Sequence, residues 1–294
     1  MSFLFVAGSL FLFTTIELSV AGEGSTPKIK EIVLGRCYEY QLNTIGPEAD
    51  NWKDCNEIWE AFHQAFAYKN PCTLAFDDYQ PFFDATGMQE LTKSLFWSGT
   101  YKVAHVYSDS GDRYTTLEDT LAGYLVNGLT WCGNENLSPS DSDGIDYDSC
   151  PDWSECDYTT PFWGLASTTF ARHARGIARV MLNGSRVDSN GKPVPYREDS
   201  FFAKYELPNL QVDKVYELRF VVVHTNGPTR LRKGCYTASI RMLKKHARNR
   251  GLKVTCNDDP NMGFAPSGGY GLLSHKTWVI VGAHNLWAPG LYRE

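Results

Sequence analysis

Eight cysteines, at positions 37, 55, 72, 132, 150, 156, 235 and 256, constrain this chain of 294 residues more than any other feature. An even number of thiols behind an export signal favours disulfides, because oxidising compartments keep paired cysteines closed. Residues 1–21, MSFLFVAGSLFLFTTIELSVA, supply such a signal peptide: the run is apolar apart from Glu17 and ends in Ser19-Val20-Ala21, which suits cleavage near Ala21. No Lys or Arg precedes the apolar stretch, so an uncleaved membrane anchor is the alternative. Either way the body is expected outside the cytosol, secreted or at the extracellular surface, with four bridges. A zinc site is the rival use of the thiols. No Cys-x-x-Cys or His-Glu-x-x-His spacing occurs, however, and the seven histidines are scattered, so no metal is expected. The sequons Asn136-Leu137-Ser138 and Asn183-Gly184-Ser185 make Asn136 and Asn183 candidate glycosylation sites in the same compartment.

Charge narrows the partners. Lys plus Arg number 28 against 34 Asp plus Glu, and the formal net charge of −6 offers no basic surface for nucleic acid. Arg241 to Lys253 carries six Lys or Arg residues, and alternating apolar residues such as Ile240 and Leu243 give the pattern of a solvated helix face. The segment from Trp278 to Tyr292 is interrupted by His284, Asn285 and Pro289, too broken for a membrane span or a lipid-anchor signal. No stable span is therefore expected in the mature chain. A homodimer is admitted.

The apolar residues from Ile29 to about Phe83 recur at three and four, which predicts amphipathic helices punctuated by Asn70-Pro71 and Asp77-Asp78. A further helix is predicted from Leu117 to about Tyr124, with Thr116 as its cap and Glu118 and Asp119 in its first turn. Residues 134–157 are acidic, Ser-rich and poor in apolar side chains, and read as a loop held by cysteines. Phe162 to Arg179 reads as helix. After it the pattern shortens: Val180-Met181-Leu182, Leu218 to His224 and Leu252 to Cys256 suit buried strands, and Thr237 to Arg250 suits a helix stopped by Gly251. Strand, helix and strand at this spacing imply a parallel unit. The expected class is α/β: a helical lobe (27–90 with 116–174), a smaller lobe with a short parallel sheet (91–115 with 175–262), and a C-terminal tail (263–294). An active-site cleft is expected between the lobes, at the carboxyl ends of the strands.

Gly-rich phosphate loops, Gly-x-Ser-x-Gly elbows and kinase motifs are absent. What is present is LFWSG at 95–99, TLEDTL at 116–121, LTWCG at 129–133, FWGLAS at 162–167, VMLNGS at 180–185 and FFAKYELPNL at 201–210. With GRCYEY around Cys37, DCNEIWEAF around Cys55 and SCPDW around Cys150, these segments resemble the ADP-ribosyl cyclase family, in order, from about residue 29 to 258.

The resemblance implies that Glu206 is the catalytic carboxylate. It leaves an apolar run at a Pro-terminated turn, where a carboxylate can face a cleft. Glu118 falls on the position that contacts the nicotinamide end and influences product choice. Trp97 and Trp163 fall on the paired tryptophans that hold ribose and nicotinamide, and indole faces attract a cationic pyridinium. Ser98 and Ser167 fall near the phosphates, and Phe201 and Phe202 are expected to form an apolar wall before the catalytic turn. Two departures stand out. Position 99 is Gly where mammalian members carry Arg, and Leu91 and Arg175 occupy the places of a further bridge, so both of its partners are lost together. The bridges implied by the family pattern are Cys37–Cys55, Cys72–Cys156, Cys132–Cys150 and Cys235–Cys256.

The implied activity is an NAD(P)+ nucleosidase that releases nicotinamide and ADP-ribose, with a minor cyclase branch to cyclic ADP-ribose. NAD or NADP is the substrate, and no cofactor is implied. One carboxylate suffices, because nicotinamide leaves a cationic pyridinium as a neutral molecule and needs no general acid, unlike an ordinary glycoside leaving group. The competing class is a non-catalytic, disulfide-rich surface module that uses the aromatic cleft for binding alone.

Overall fold

The computed structural model describes residues 23–109, 114–152, 154–224 and 234–258. The predicted signal peptide and C-terminal tail lie outside the described residues.

Three helices open the chain. Helix α1 (Ile29–Tyr40) buries Ile29, Val33 and Cys37, four residues apart and so on one face. Helix α2 (Cys55–Phe66) starts where the Asp54 carboxylate accepts from the Asn56 and Glu57 N–H groups. Helix α3 (Phe76–Thr86) starts where Asp78 accepts from the Ala75 N–H at 2.8 Å and from Lys69 Nζ at 2.7 Å. Between them the rings of Phe62, Phe66, Phe82 and Trp131 pack with centroids 5.1 to 5.2 Å from that of Phe62. The polar atoms drawn into this cluster are satisfied: Trp131 Nε1 donates to Tyr79 Oη at 3.0 Å.

The sheet has four strands in the order β1 (Leu95–Ser98), β2 (Gly176–Asn183), β3 (Val215–Val223), β4 (Lys253–Asp258), and every pairing is parallel. Both faces of its centre are covered. Ala178, Val180, Leu182, Leu218, Phe220 and Val222 join the main core with α7 (Ala238–Asn249), whereas Leu95, Met181 and Val223 pack on the other face against Ala104 of α4 (Tyr101–Asp109). Strands covered on both faces read as near-continuous apolar runs, which is why VMLN and FVVV stood out in the sequence. Parallel pairing gathers the carboxyl ends, at Ser98, Asn183, Val223 and Asp258, along one edge.

Four disulfides join Cys37 to Cys55, Cys72 to Cys156, Cys132 to Cys150 and Cys235 to Cys256. Leu91 and Arg175 are backbone neighbours, with the Arg175 N–H donating to Leu91 O at 2.8 Å. Arg175 also pairs with Glu90 at 2.9 Å.

Two predicted helices are corrected. The segment after Thr116 is a 3₁₀ turn (Leu117–Asp119) followed by a separate helix α5 (Leu121–Val126). Asp119 folds back to accept from the Thr116 N–H and hydroxyl, both at 2.8 Å, and Thr120 adopts an extended ψ of 158° before capping α5. The helix containing Phe162, α6 (Thr160–His173), stops six residues short of Arg179. Ala174 is extended and Gly176 has a φ of 71°, which turns the chain into β2.

Candidate active site

Four segments converge at the carboxyl edge of the sheet: the end of β1, the 117–119 turn, α6, and a π-helical turn (Phe202–Glu206) that touches both β1 and α6. The π turn is closed by the Leu207 N–H donating to Phe202 O, and a 3₁₀ turn (Leu207–Asn209) containing Pro208 follows directly. Glu206 sits at that junction with 7% of its surface exposed. Single π turns are uncommon and concentrate at functional sites, because the extra residue re-aims the side chains around it.

Glu118 is also buried. Its Oε2 accepts from Trp97 Nε1 at 3.3 Å and lies 3.8 Å from His105 Nε2. The Trp97 ring stands 5.5 Å from that of Tyr101, which in turn lies 4.2 Å from the His105 ring. So Glu118 is more than a first-turn acid: it holds a strand-end indole and faces a histidine from the next helix.

Trp163 and Ser167 project from α6 four residues apart, both buried. Trp163 Nε1 is shielded from solvent and has no hydrogen-bond partner among the described residues. A buried donor left open in a folded protein is uncommon and suits a site completed by a ligand acceptor. Ser98 is buried at the end of β1, and Arg186 Nη1 donates to its hydroxyl at 3.4 Å. The next residue, Gly99, has a φ of 66° and gives its carbonyl to Asn183 Nδ2 at 3.0 Å.

The expected phenylalanine wall is corrected in part. Phe202 is fully buried with its ring 6.0 Å from that of Phe96, so it belongs to the core beneath the site. Phe201 is half-buried against Tyr205, with centroids 5.1 Å apart, and keeps ring surface outside the core. Of the two sequons, Asn136 is exposed and Asn183 is half-buried at the end of β2.

Sequence reasoning missed His105, Tyr101 and Arg186. The spacing of four between Tyr101 and His105 was a usable signal, but only once residues 101–109 are known to be helical. Arg186 carried none. Among the described residues no group of three or more His, Cys, Asp or Glu side chains is arranged to hold a metal ion. Around Trp97 and Trp163 the set includes the two buried carboxylates, which with the indoles favour a cation over a neutral species, while the guanidinium of Arg186 lies over the Ser98 end.

Comparison with known proteins agrees with this chemistry. The family model described as ADP-ribosyl cyclase matches residues 26–264. An ADP-ribosyl cyclase/cyclic ADP-ribose hydrolase of Aplysia californica is 38% identical over 242 residues, 80% of this chain and 81% of that protein. The human ADP-ribosyl cyclase/cyclic ADP-ribose hydrolase 2 is 34% identical over 241 residues, 81% of this chain and 71% of that protein. Among solved structures, an ADP-ribosyl cyclase complexed with N1-cIDPR superposes with a TM-score of 0.72 at 35% identity, covering 82% of this chain and 93% of that one. An Aplysia cyclase complexed with substrate NGD and product cGDPR gives a TM-score of 0.71 at 35% identity, covering 82% and 92%.

Proposed function

The chain belongs to the ADP-ribosyl cyclase family, and from that premise we propose that it cleaves the nicotinamide–ribose bond of NAD, and of NADP, chiefly by hydrolysis. It is an NAD-processing enzyme. The observation that supports the reading is that the turn ending in the buried Glu206 packs on β1 and α6, the elements that carry Trp97 and Trp163, while Glu118 bonds to Trp97.

In the proposed mechanism the pyridinium ring lies against the indoles of Trp97 and Trp163, and the ribose sits beside Glu206. As the C–N bond lengthens, its electron pair goes to nicotinamide, which departs neutral, and positive charge develops on the ribose. The Glu206 carboxylate stabilises that charge where little water competes for it. Water then adds to the ribose carbon and releases a proton, giving ADP-ribose. Attack by the adenine ring instead gives the cyclic product, and we assign this to the minor branch. Glu118, anchored through Trp97, bears on the choice between the two. Ser98 and Ser167 serve the phosphate end, and Phe201 covers the approach.

We also propose an extracellular or secreted location, supported by four closed disulfides and the apolar amino-terminal segment. No helix among the described residues is long and apolar enough to cross a membrane. Incubation of the purified protein with NAD, followed by chromatography for free nicotinamide, tests the activity. NAD left intact beside a folded protein would favour the non-catalytic binding module instead.

A further inference from the structure

Two buried carboxylates suit the cationic end of a dinucleotide, yet they repel the other end, where a diphosphate carries two negative charges. A positive group on the same edge of the sheet would offset that repulsion, and Arg186 lies on that edge, at the end of β1 and β2. It lies four residues after the last apolar residue of β2, Leu182, in the turn that leaves the strand's carboxyl end. Its backbone is held from both sides: its N–H donates to Asn183 O at 3.3 Å, and its carbonyl accepts from the Val194 N–H at 2.9 Å. Asn183 Oδ1 accepts from the Ser185 N–H at 2.9 Å and its Nδ2 donates to Gly99 O at 3.0 Å, so one side chain ties the β1 end to the β2 turn.

The guanidinium crosses this junction and fills the space over Gly99. Its Nη1 reaches the Ser98 hydroxyl at 3.4 Å, and a Cβ added to Gly99 would overlap its Nη2. The φ of 66° at Gly99 already disfavours a side chain there, and the arginine makes the exclusion steric as well. Arg186 is half-buried, with its Nη2 shielded from solvent over Gly99.

We propose that Arg186 binds the diphosphate of the dinucleotide substrate, delivering from the β2 turn a charge that position 99 lacks. The inference rests on the NAD-cleaving reading and names the residue that holds the far end of the substrate. A guanidinium matches phosphate oxygens with paired N–H donors, and such charge-assisted bonds are stronger than neutral ones. Because the phosphates take no part in bond breaking, the contact acts on binding more than on the chemical step.

The test compares NAD with nicotinamide riboside, which keeps the scissile bond and lacks the diphosphate. Arg186→Gln should raise KM for NAD about ten- to a hundredfold and leave kcat within about threefold. Its kcat/KM for nicotinamide riboside should stay within about twofold of wild type. In the Arg186→Ala background the clash over position 99 is relieved, so adding Gly99→Arg should recover much of the lost affinity. An unchanged KM for NAD, or equal losses on both substrates, would overturn the assignment. ADP binding measured by calorimetry on the same proteins separates the two readings. Wild type that binds ADP through Arg186 yet never releases nicotinamide would refute the activity and keep the phosphate contact, whereas active wild type with ADP affinity unchanged in Arg186→Gln would do the reverse.

Discussion

Replacing Glu206 by Gln removes one negative charge while keeping the shape of the side chain. A unit charge about 4 Å from a developing cation interacts by roughly 4 kcal/mol at an effective dielectric near 20. Glu206 is 7% exposed, so solvent screening takes little from that figure. The transition state bears only part of the charge, and the Gln carbonyl dipole returns some of the loss, leaving about 3 kcal/mol. At about 1.4 kcal/mol per decade, turnover should fall by roughly 10². The fold should survive, because the two turns that meet at Glu206 are held by main-chain bonds, from the Leu207 N–H to Phe202 O and from the Leu210 N–H to Glu206 O at 3.1 Å. The assay is nicotinamide release at saturating NAD, with a thermal melt of the same sample as the control for folding. Turnover within tenfold of wild type, in a variant that melts like wild type, would remove Glu206 from the charge-stabilising role.

Three further outcomes are expected. Glu118→Ala removes the anchored acceptor beside Trp97, so the share of cyclic product at short reaction times should rise; a product ratio unchanged on chromatography would detach Glu118 from the partition. Replacing Cys37 and Cys55 together by Ser opens a loop of 18 residues, which should lower stability by about 3 kcal/mol on the chain-entropy model, and chemical denaturation that finds no loss would show strain or denatured-state structure to dominate. Although burial tends to raise it, the Asp78 pKa is held below the ordinary carboxylate value by bonds from Lys69 and the Ala75 N–H and by the lysine charge. A depressed folded pKa gives stability that is present above the unfolded pKa and fades as pH falls through the folded value, so Asp78→Asn should cost about 1 kcal/mol at neutral pH and almost nothing in strong acid. Equal losses at both pH values would rule out the charge as the cause.

The parts of the fold that could be read from sequence are those whose signal is periodic. Ile58, Trp59, Phe62 and Phe66 announce α2 through their spacing, and VMLN and FVVV announce strands buried on both faces. Strand β1 has only four residues, and α4 follows it after Gly99 and Thr100, too close for either to show a period. The corrected helices failed for local reasons: Asp119 closes a capping box on Thr116 inside the segment read as one helix, and Gly176 turns the chain where the apolar pattern runs on. The candidate site was legible only as separate strings. Trp97, Glu118, Trp163 and Glu206 lie more than a hundred residues apart at the extremes, and composition alone gives no reason for them to meet. Likeness to a known family placed them, and the geometry adds what likeness omits, such as the Glu118 to Trp97 bond, the facing His105 and the guanidinium over Gly99.

The π turn explains why FFAKYE does two jobs in six residues. In a turn closed by an i to i+5 bond, residues four apart stay on nearly the same side. Phe202 and Glu206 therefore both face inward, and Phe201 and Tyr205, half-buried, pair their rings on the neighbouring side. Phe202 drives into the core between β1 and α6, beside Phe96, and so anchors the turn that carries Glu206. On the proposed mechanism, Phe202→Ala should therefore shift the carboxylate and lower nicotinamide release. In that mechanism the site's electrostatics and the packing beneath it act together: Phe202, fully buried four residues before Glu206, anchors the turn that carries the carboxylate.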